Sequence, residues 1–128
     1  MKILVCGGRD FNDYAAVSEV LNELCIEHSE NYNPDDNWLP TDITIISGKA
    51  RGADTMASDF AICNFCQLEE YPADWKTHGK SAGPIRNRQM LVEGKPDLVV
   101  AFPGGRGTAN MVSIAKKAGV PVLEIEET

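Results

Sequence analysis

The segment most able to bind an anion is residues 101–108, which reads Ala-Phe-Pro-Gly-Gly-Arg-Gly-Thr. It joins an apolar stretch typical of a buried strand to a stretch with helical periodicity. The first backbone N–H groups of a helix lack partners and carry partial positive charge, and glycines let a phosphate approach them closely. We therefore expect a phosphate-binding turn here.

Two further turns repeat the arrangement of strand, glycine-rich turn and helix. Residues 5–10 read Val-Cys-Gly-Gly-Arg-Asp, and residues 47–54 read Ser-Gly-Lys-Ala-Arg-Gly-Ala-Asp. Asp54 could orient Arg51, contact a sugar hydroxyl, or only favour the helix dipole. Trp75 could stack on a base or serve as a local packing anchor. The predicted ligand-binding residues are Gly7, Gly8, Arg9, Ser47, Gly48, Arg51, Gly52, Asp54, Trp75, Arg86, Asn87, Pro103, Gly104, Gly105, Arg106, Gly107 and Thr108.

The composition limits the classes of protein to consider. The chain has 128 residues, 43% of them hydrophobic, which fits one domain spanning residues 1–128. Its net charge of -7 gives no general attraction to nucleic acid or to anionic lipid. The apolar start is too short for a signal peptide, and no run approaches a membrane span. We expect a cytoplasmic protein without a membrane partner.

Periodicity places these turns between alternating strands and helices. Strand patterns occur at 2–6, 43–46, 67–71, 97–102 and 121–125, and helical periodicity fills most of the intervals. This alternation predicts an α/β fold with a parallel sheet covered by helices. Asn12 or Asp13 is placed to cap the first helix. The polar segment 29–41 is predicted to be a surface loop, either a lid or a variable insertion.

The third helix is the least regular of the four. It is predicted from about residue 84 to residue 93, with Ile85 and Val92 facing the core. Arg86, Asn87 and Arg88 then fall in its first turn, where the helix dipole disfavours cations unless an anion is near. They could therefore meet a ligand or pair with nearby carboxylates. The last helix carries Met111, Ile114, Ala115 and Ala118 at core spacing and ends at Gly119.

Several common chemistries lack their motifs. Gly79-Lys80-Ser81 resembles the end of a Walker A motif, but Asp74 stands where its first glycine should be. The turn after the first strand lacks the third glycine of a dinucleotide fingerprint. Cys63 and Cys66 have no second ligand pair, so no metal site is expected. Ser47 is expected to form hydrogen bonds or cap a helix rather than act as a nucleophile.

Four motifs in order resemble the YspA-like, YpsA-related branch of the SLOG superfamily. They are C-G-G-R-D-F, S-G-K-A-R-G-A-D, Y-P-A-D-W-K-T-H-G-K-S-A-G-P-I-R-N-R-Q-M and A-F-P-G-G-R-G-T. The resemblance implies a Rossmann-like domain with a five-stranded, mostly parallel sheet in the order 3-2-1-4-5. It also implies a nucleotide-derived ligand and, because relatives are often dimers, self-association. In that order, residues 7–10 and 104–108 would face each other at the sheet's switch point.

The resemblance has one departure that bears on activity. Related phosphoribohydrolases carry P-G-G-x-G-T-x-x-E, whose glutamate takes part in breaking an N-glycosidic bond, whereas this chain has Met111 at that position. A thioether cannot act as an acid or base. We therefore expect binding of a phosphorylated nucleotide derivative. The alternative is a nucleotide hydrolase using Asp10, Asp54 or Asp74, and binding of single-stranded nucleic acid comes third.

Overall fold

The fold is an α/β sandwich with helices on both faces of one parallel sheet, as the sequence predicts. The computed structural model describes residues 1–126. The strands are β1 (Lys2–Cys6), β2 (Thr44–Ser47), β3 (Gln67–Glu70), β4 (Leu98–Ala101) and β5 (Val122–Glu124). The helices are α1 (Tyr14–His28), α2 (Ala53–Asn64), α3 (Trp75–His78), α4 (Ala82–Val92) and α5 (Arg106–Lys117), with a 3₁₀ turn at Gly79–Ser81.

All strand pairs are parallel, and the strand order is β3-β2-β1-β4-β5. This confirms the predicted order. The chain moves outward from β1 to β3 and then returns past β1 to begin the other half with β4. The carboxyl ends of β1 and β4 therefore lie side by side where the direction of winding changes, the usual place for a ligand in such a sheet.

Alternate residues of the central strands build two cores. On one face, Ile3 and Val5 of β1 pack with the apolar sides of α1 and α2. On the other face, Leu4 and Cys6 pack with Met90 of α4 and with α5. Because each central strand is covered on both faces, it is apolar without interruption, as expected for a parallel sheet.

The first helix begins where the sequence predicts. The Asp13 side chain accepts a hydrogen bond from the Ala16 N–H at 3.0 Å, which satisfies one of the free donors of the first turn. Val17, Leu21, Leu24 and Cys25 form its buried face. Helix α5 buries Met111 and Ala115, but it ends at Lys117 and leaves Ala118 exposed. The prediction that Ala118 belongs to the core is therefore wrong.

The region before α4 differs from the prediction. Trp75 opens the short helix α3 rather than lying in a loop, and α4 begins at Ala82, two residues before Pro84. Arg86 consequently lies beyond the first turn of α4, so the helix dipole says little about it. Ile85 and Val92 are 44% and 62% exposed, whereas Asn87 is buried. The polar Asn87 takes a core-facing position because its amide is fully engaged, as described below.

The 29–41 segment lies at the amino-terminal end of the strands, away from the switch point at their carboxyl ends, because it joins the end of α1 to the start of β2. Asp42 holds the start of this segment, accepting hydrogen bonds from the Ser29 hydroxyl at 2.6 Å and the Glu30 N–H at 2.8 Å. The Trp38 indole N–H donates to Ser29 Oγ at 3.2 Å. At this position the segment does not cover the carboxyl ends of the strands, so of the two predicted alternatives, a lid or a variable insertion, the structure favours the insertion.

Candidate nucleotide-binding cleft

A cleft of about 920 Å³ opens at the carboxyl ends of β1 and β4. The turns after these two strands are joined, since the Gly8 N–H donates to the Pro103 carbonyl at 2.9 Å. The predicted opposition of residues 7–10 and 104–108 is thus present. Most of the predicted residues line the cleft: Gly7, Gly8, Arg9, Asp54, Trp75, Arg86, Asn87, Pro103, Gly104, Gly105, Arg106, Gly107 and Thr108.

Packing around the turns after β1, β2 and β4 requires four glycines, and we call Gly7, Gly8, Gly52 and Gly104 the packed glycines. A Cβ on Gly7 would lie 2.5 Å from the Ala53 Cβ, and one on Gly104 would lie 2.6 Å from the Gly8 nitrogen. Gly52 has φ of +84°, and a Cβ there would meet the Gly8 carbonyl oxygen. These glycines let the turns after β1, β2 and β4 approach one another, so the fold itself explains them.

The glycines at the start of α5 have different surroundings, and we call Gly105 and Gly107 the open glycines. Apart from its chain neighbours and the nearby backbone of its own helix, a Cβ on either would have no atom of the described residues within 4 Å. Both line the cleft. Packing therefore does not require glycine at these positions, while the helix start beside them presents backbone N–H groups without intrahelical partners.

The buried Asp54 and the half-buried Arg86 both line the cleft. Asp54 is 5% exposed, and burial raises its pKa to about 6 although the nearby Arg86 guanidinium and a hydrogen bond from the Ala50 N–H both act to lower it. Arg86 Nη1 donates to the Gly48 carbonyl, and burial lowers the pKa of Arg86. An arginine nevertheless stays protonated at neutral pH. The cleft therefore contains a fixed cation beside a carboxyl group that titrates near neutrality.

Asn87 connects α4 to the start of α5. Its side-chain amide donates to the Gly107 carbonyl at 3.1 Å and to Asn110 Oδ1 at 3.0 Å, while its oxygen accepts from Arg86 Nε at 3.1 Å. The side chain is 4% exposed, so each of these bonds replaces one that water can no longer supply. Asn87 thus holds the Arg86 side chain in place and connects it to the backbone at the open glycine Gly107.

Arg9 and Trp75 form one wall of the cleft. The Arg9 guanidinium lies 5.1 Å from the centroid of the Trp75 ring, which is within the range of a cation–π contact. The ring is 48% exposed, and its far edge lies near Gly83. Because the stacked guanidinium is held by the ring, its charge is oriented before any ligand arrives.

Five predicted residues lie outside the main cleft. Ser47 is buried and its hydroxyl donates to the Asp54 carbonyl at 3.0 Å, so it supports the turn after β2. Gly52 is one of the packed glycines, and Gly48 lies beneath Arg86 and Asp54. Arg51 pairs with Asp10 at 3.3 Å on the exposed rim. Asp74 caps α3, accepting from the Thr77 N–H at 3.1 Å, and does not line the cleft.

Several lining residues were not predicted. They are Cys6, Phe11, Ala50, Lys80, Gly83, Pro84, Met90 and Asn110. Lys80 lies in the 3₁₀ turn Gly79–Ser81, the tripeptide rejected as a Walker A motif, and Asn110 lies in α5, two residues beyond the last motif, where it bonds to Asn87 of α4. Burial raises the pKa of the Cys6 thiol to about 12, which keeps it protonated and unreactive at neutral pH.

Comparisons with known proteins identify relatives of this chain. Residues 1–78 match the model of the family described as "YspA, cpYpsA-related SLOG family". The gene 61 protein of Mycobacterium phage D29 is 35% identical over 130 residues, which cover 95% of this chain and 94% of the relative.

The chain belongs to this SLOG family. The resemblance inferred from the four motifs is thereby confirmed, and family membership suggests a nucleotide-related binding or hydrolase role. The family match covers the turns after β1 and β2, while the turn after β4 lies beyond residue 78.

One residue of this SLOG domain argues against transferring phosphoribohydrolase chemistry directly. Met111 is 0% exposed and packs in the core with Leu4, Ile46 and Met90. The position is therefore occupied by an apolar side chain that faces the sheet and not the cleft. An acid or base for hydrolysis would have to come from another residue.

Two further observations limit the chemistry of the described residues. Among residues 1–126, no cluster of three or more His, Cys, Asp or Glu side chains could hold a metal ion. Within the same residues, no helix is both long enough and apolar enough to cross a membrane.

Proposed function

We propose that the cleft binds a nucleotide or a nucleotide-derived phosphorylated ligand, which the protein senses or sequesters. The observation that carries this proposal is the pair of open glycines at the start of α5. Packing does not explain them, and they lie where free N–H groups face a cleft large enough for a nucleotide.

The residues around the open glycines suit a phosphate group. The N–H groups of Arg106, Gly107 and Thr108 belong to the first turn of α5 and supply donors. Arg86 and Arg9, which also line the cleft, supply positive charge. The acidic chain thus provides a locally cationic site, which favours a small anion over a long polyanion.

The direct experiment is to identify what the protein binds. Mass spectrometry of small molecules released from the purified, heat-denatured protein should detect a phosphorylated nucleoside derivative. In thermal shift assays, nucleoside mono-, di- and triphosphates, NAD and ADP-ribose are compared. A ligand at 100 times its Kd adds about 2.7 kcal/mol to the free energy of unfolding, which corresponds to a shift of several degrees. No released nucleotide and no shift with any compound would contradict the proposal.

A hydrolase acting on a nucleotide-like substrate is the second candidate, and Asp54 is the residue that favours it. Its carboxyl group is buried, lines the cleft, and has a pKa of about 6, which suits a general acid or base near neutral pH. Asp10 is almost fully exposed and paired with Arg51, and Asp74 lies outside the cleft.

Chromatography separates the two candidates. The protein is incubated with nucleoside monophosphates, NAD and ADP-ribose, and the release of base or phosphate is measured. Hydrolysis that is lost in Asp54→Asn and kept in Asp74→Asn would support the enzyme, because asparagine at position 74 can still cap α3. Tight binding without turnover would contradict the hydrolase and support the binding protein.

A further inference from the structure

A second, smaller pocket of about 380 Å³ adjoins the cleft on the side of the turn after β2. Every charged residue in its lining is a cation: Arg9, Lys49, Arg51 and Arg86. The main cleft, in contrast, includes the carboxyl groups of Asp10 and Asp54. In a chain with a net charge of -7, four cations around one small pocket create a local potential that favours an anion.

The backbone at this pocket is held in an unfavourable conformation. Lys49 is not a glycine, yet its φ is +57°. The conformation is maintained by a hydrogen bond from the Lys49 N–H to Ser47 Oγ at 3.1 Å and by one from the Ala50 N–H to Asp54 Oδ2 at 3.3 Å. Because these N–H groups are engaged inside the protein, the positive charge of the pocket comes from side chains. Strained backbone of this kind is common where a binding residue must be positioned.

The two pockets share their boundary. Arg9, Trp75 and Arg86 line both, and the stacked pair of Arg9 and Trp75 stands between them. A ligand that crosses this boundary would place one anionic group near the start of α5 and another near Lys49. The shared arginines could then contact both groups.

We propose that the smaller pocket is a second anion subsite, and that the ligand carries two phosphoryl groups at separate positions, as a nucleoside 3′,5′-bisphosphate does. This inference rests on the proposed function, because it assigns the first phosphoryl group to the open glycines. The exposed pair of Arg51 and Asp10, at 3.3 Å, is weak and can be replaced by a doubly charged phosphoryl group.

Calorimetric titration tests the proposal with three probes, the 5′-monophosphate, the 5′-diphosphate and the 3′,5′-bisphosphate, each of adenosine and of guanosine. We expect the bisphosphate to bind about tenfold more tightly than the monophosphate, and the diphosphate to gain less. Lys49→Gln should remove most of that gain. The matched control is Lys95→Gln. Lys95 is also exposed and has a positive φ, +51°, but it lies before β4, at the amino-terminal end of the strands and away from both pockets. This control should change nothing.

The other possible results contradict either the second subsite or the proposed function. If the monophosphate binds and the bisphosphate gains nothing, or the diphosphate gains as much, the second subsite is wrong while the proposed function stands. Equal losses in Lys49→Gln and Lys95→Gln would indicate a general charge effect and overturn the subsite. If none of the nucleotides binds, both proposals fail. A hexathymidylate that binds more tightly than the bisphosphate would overturn the small-molecule assignment.

Discussion

The turn after β1 and the turn after β4 each contain a Gly-Gly pair, and the two pairs meet different surroundings. In the first turn, Gly7 and Gly8 both lie against neighbouring backbone or side chains. In the second turn, Gly104 is packed against the first, whereas Gly105 faces open space in the cleft. In the first turn both glycines are needed for close packing. In the second turn, Gly105 instead leaves the backbone at the start of α5 accessible from the cleft.

This difference separates two reasons for a glycine. The packed glycines are needed to build the cleft, so their substitution should reduce folding stability whether or not a ligand exists. The open glycines are not needed for folding, so their substitution should weaken ligand binding without destabilising the fold. Substitutions at the two kinds of glycine and at the side chains around them test this difference.

Gly52→Ala should be the most destabilising change. Its φ of +84° is unfavourable for alanine, and the new Cβ would overlap the Gly8 carbonyl and approach the Arg9 carbonyl carbon to 2.7 Å. Strain and overpacking together should lower the free energy of unfolding by about 3 kcal/mol or more. Urea denaturation measures this, and a loss below about 1 kcal/mol would show that the turns can separate at little cost.

Asp54, which lies beside the packed glycines, should make the free energy of unfolding depend on pH. Because its folded pKa of about 6 lies above the ordinary 3.8, the folded state holds the proton more tightly. The stabilisation is complete below about pH 4 and is lost as the pH rises to about 6, up to about 3 kcal/mol at about 1.4 kcal/mol per pKa unit. Asp54→Asn should therefore gain stability relative to wild type across this range, and parallel stability curves for the two proteins would contradict the pKa.

Asn87→Ala should weaken the connection between α4 and the start of α5. It removes both donors to α5, so the Gly107 carbonyl and Asn110 Oδ1 each lose this partner. The expected loss is about 1–2 kcal/mol by urea denaturation. Asn64→Ala is the matched control, because its amide bonds only to Phe60 in its own helix. An equal loss in both variants would refute the special role of Asn87.

Gly107→Ala should have the smallest effect on folding, with the opposite sign from Gly52→Ala. The position is helical and open, so alanine should raise the free energy of unfolding by up to about 1 kcal/mol. Thermal denaturation without ligand measures the change. A clear destabilisation would mean that Gly107 belongs with the packed glycines.

The sequence predicted the sheet well because each central strand is buried on both faces and reads as a short apolar run between glycine-rich turns. It predicted β1 at residues 2–6 without error and the strand order through the family resemblance. The second half of the cleft was harder. Helix α4 has little apolar periodicity, since its buried face combines Ala82, Asn87 and Met90, and so Ile85 and Val92 were wrongly assigned to the core.

The distinction between packed and open glycines could not come from the sequence. It depends on which atoms from distant parts of the chain approach each glycine, such as Gly8 beside Gly52. The contribution of Asn110 to the cleft likewise depends on how α5 packs against α4, since it bonds to Asn87. Local patterns identify turns, but tertiary contacts determine what each turn faces.

The most direct test of nucleotide binding at the open glycines compares Gly107→Leu with Ala109→Leu. Both add bulk to the first turn of α5, but Gly107 lines the cleft and Ala109 is exposed outside it. With the nucleotide that gives the largest thermal shift, calorimetry should show at least a tenfold weaker affinity for Gly107→Leu and an unchanged affinity for Ala109→Leu, with both variants folded. Wild-type affinity in folded Gly107→Leu would contradict the account.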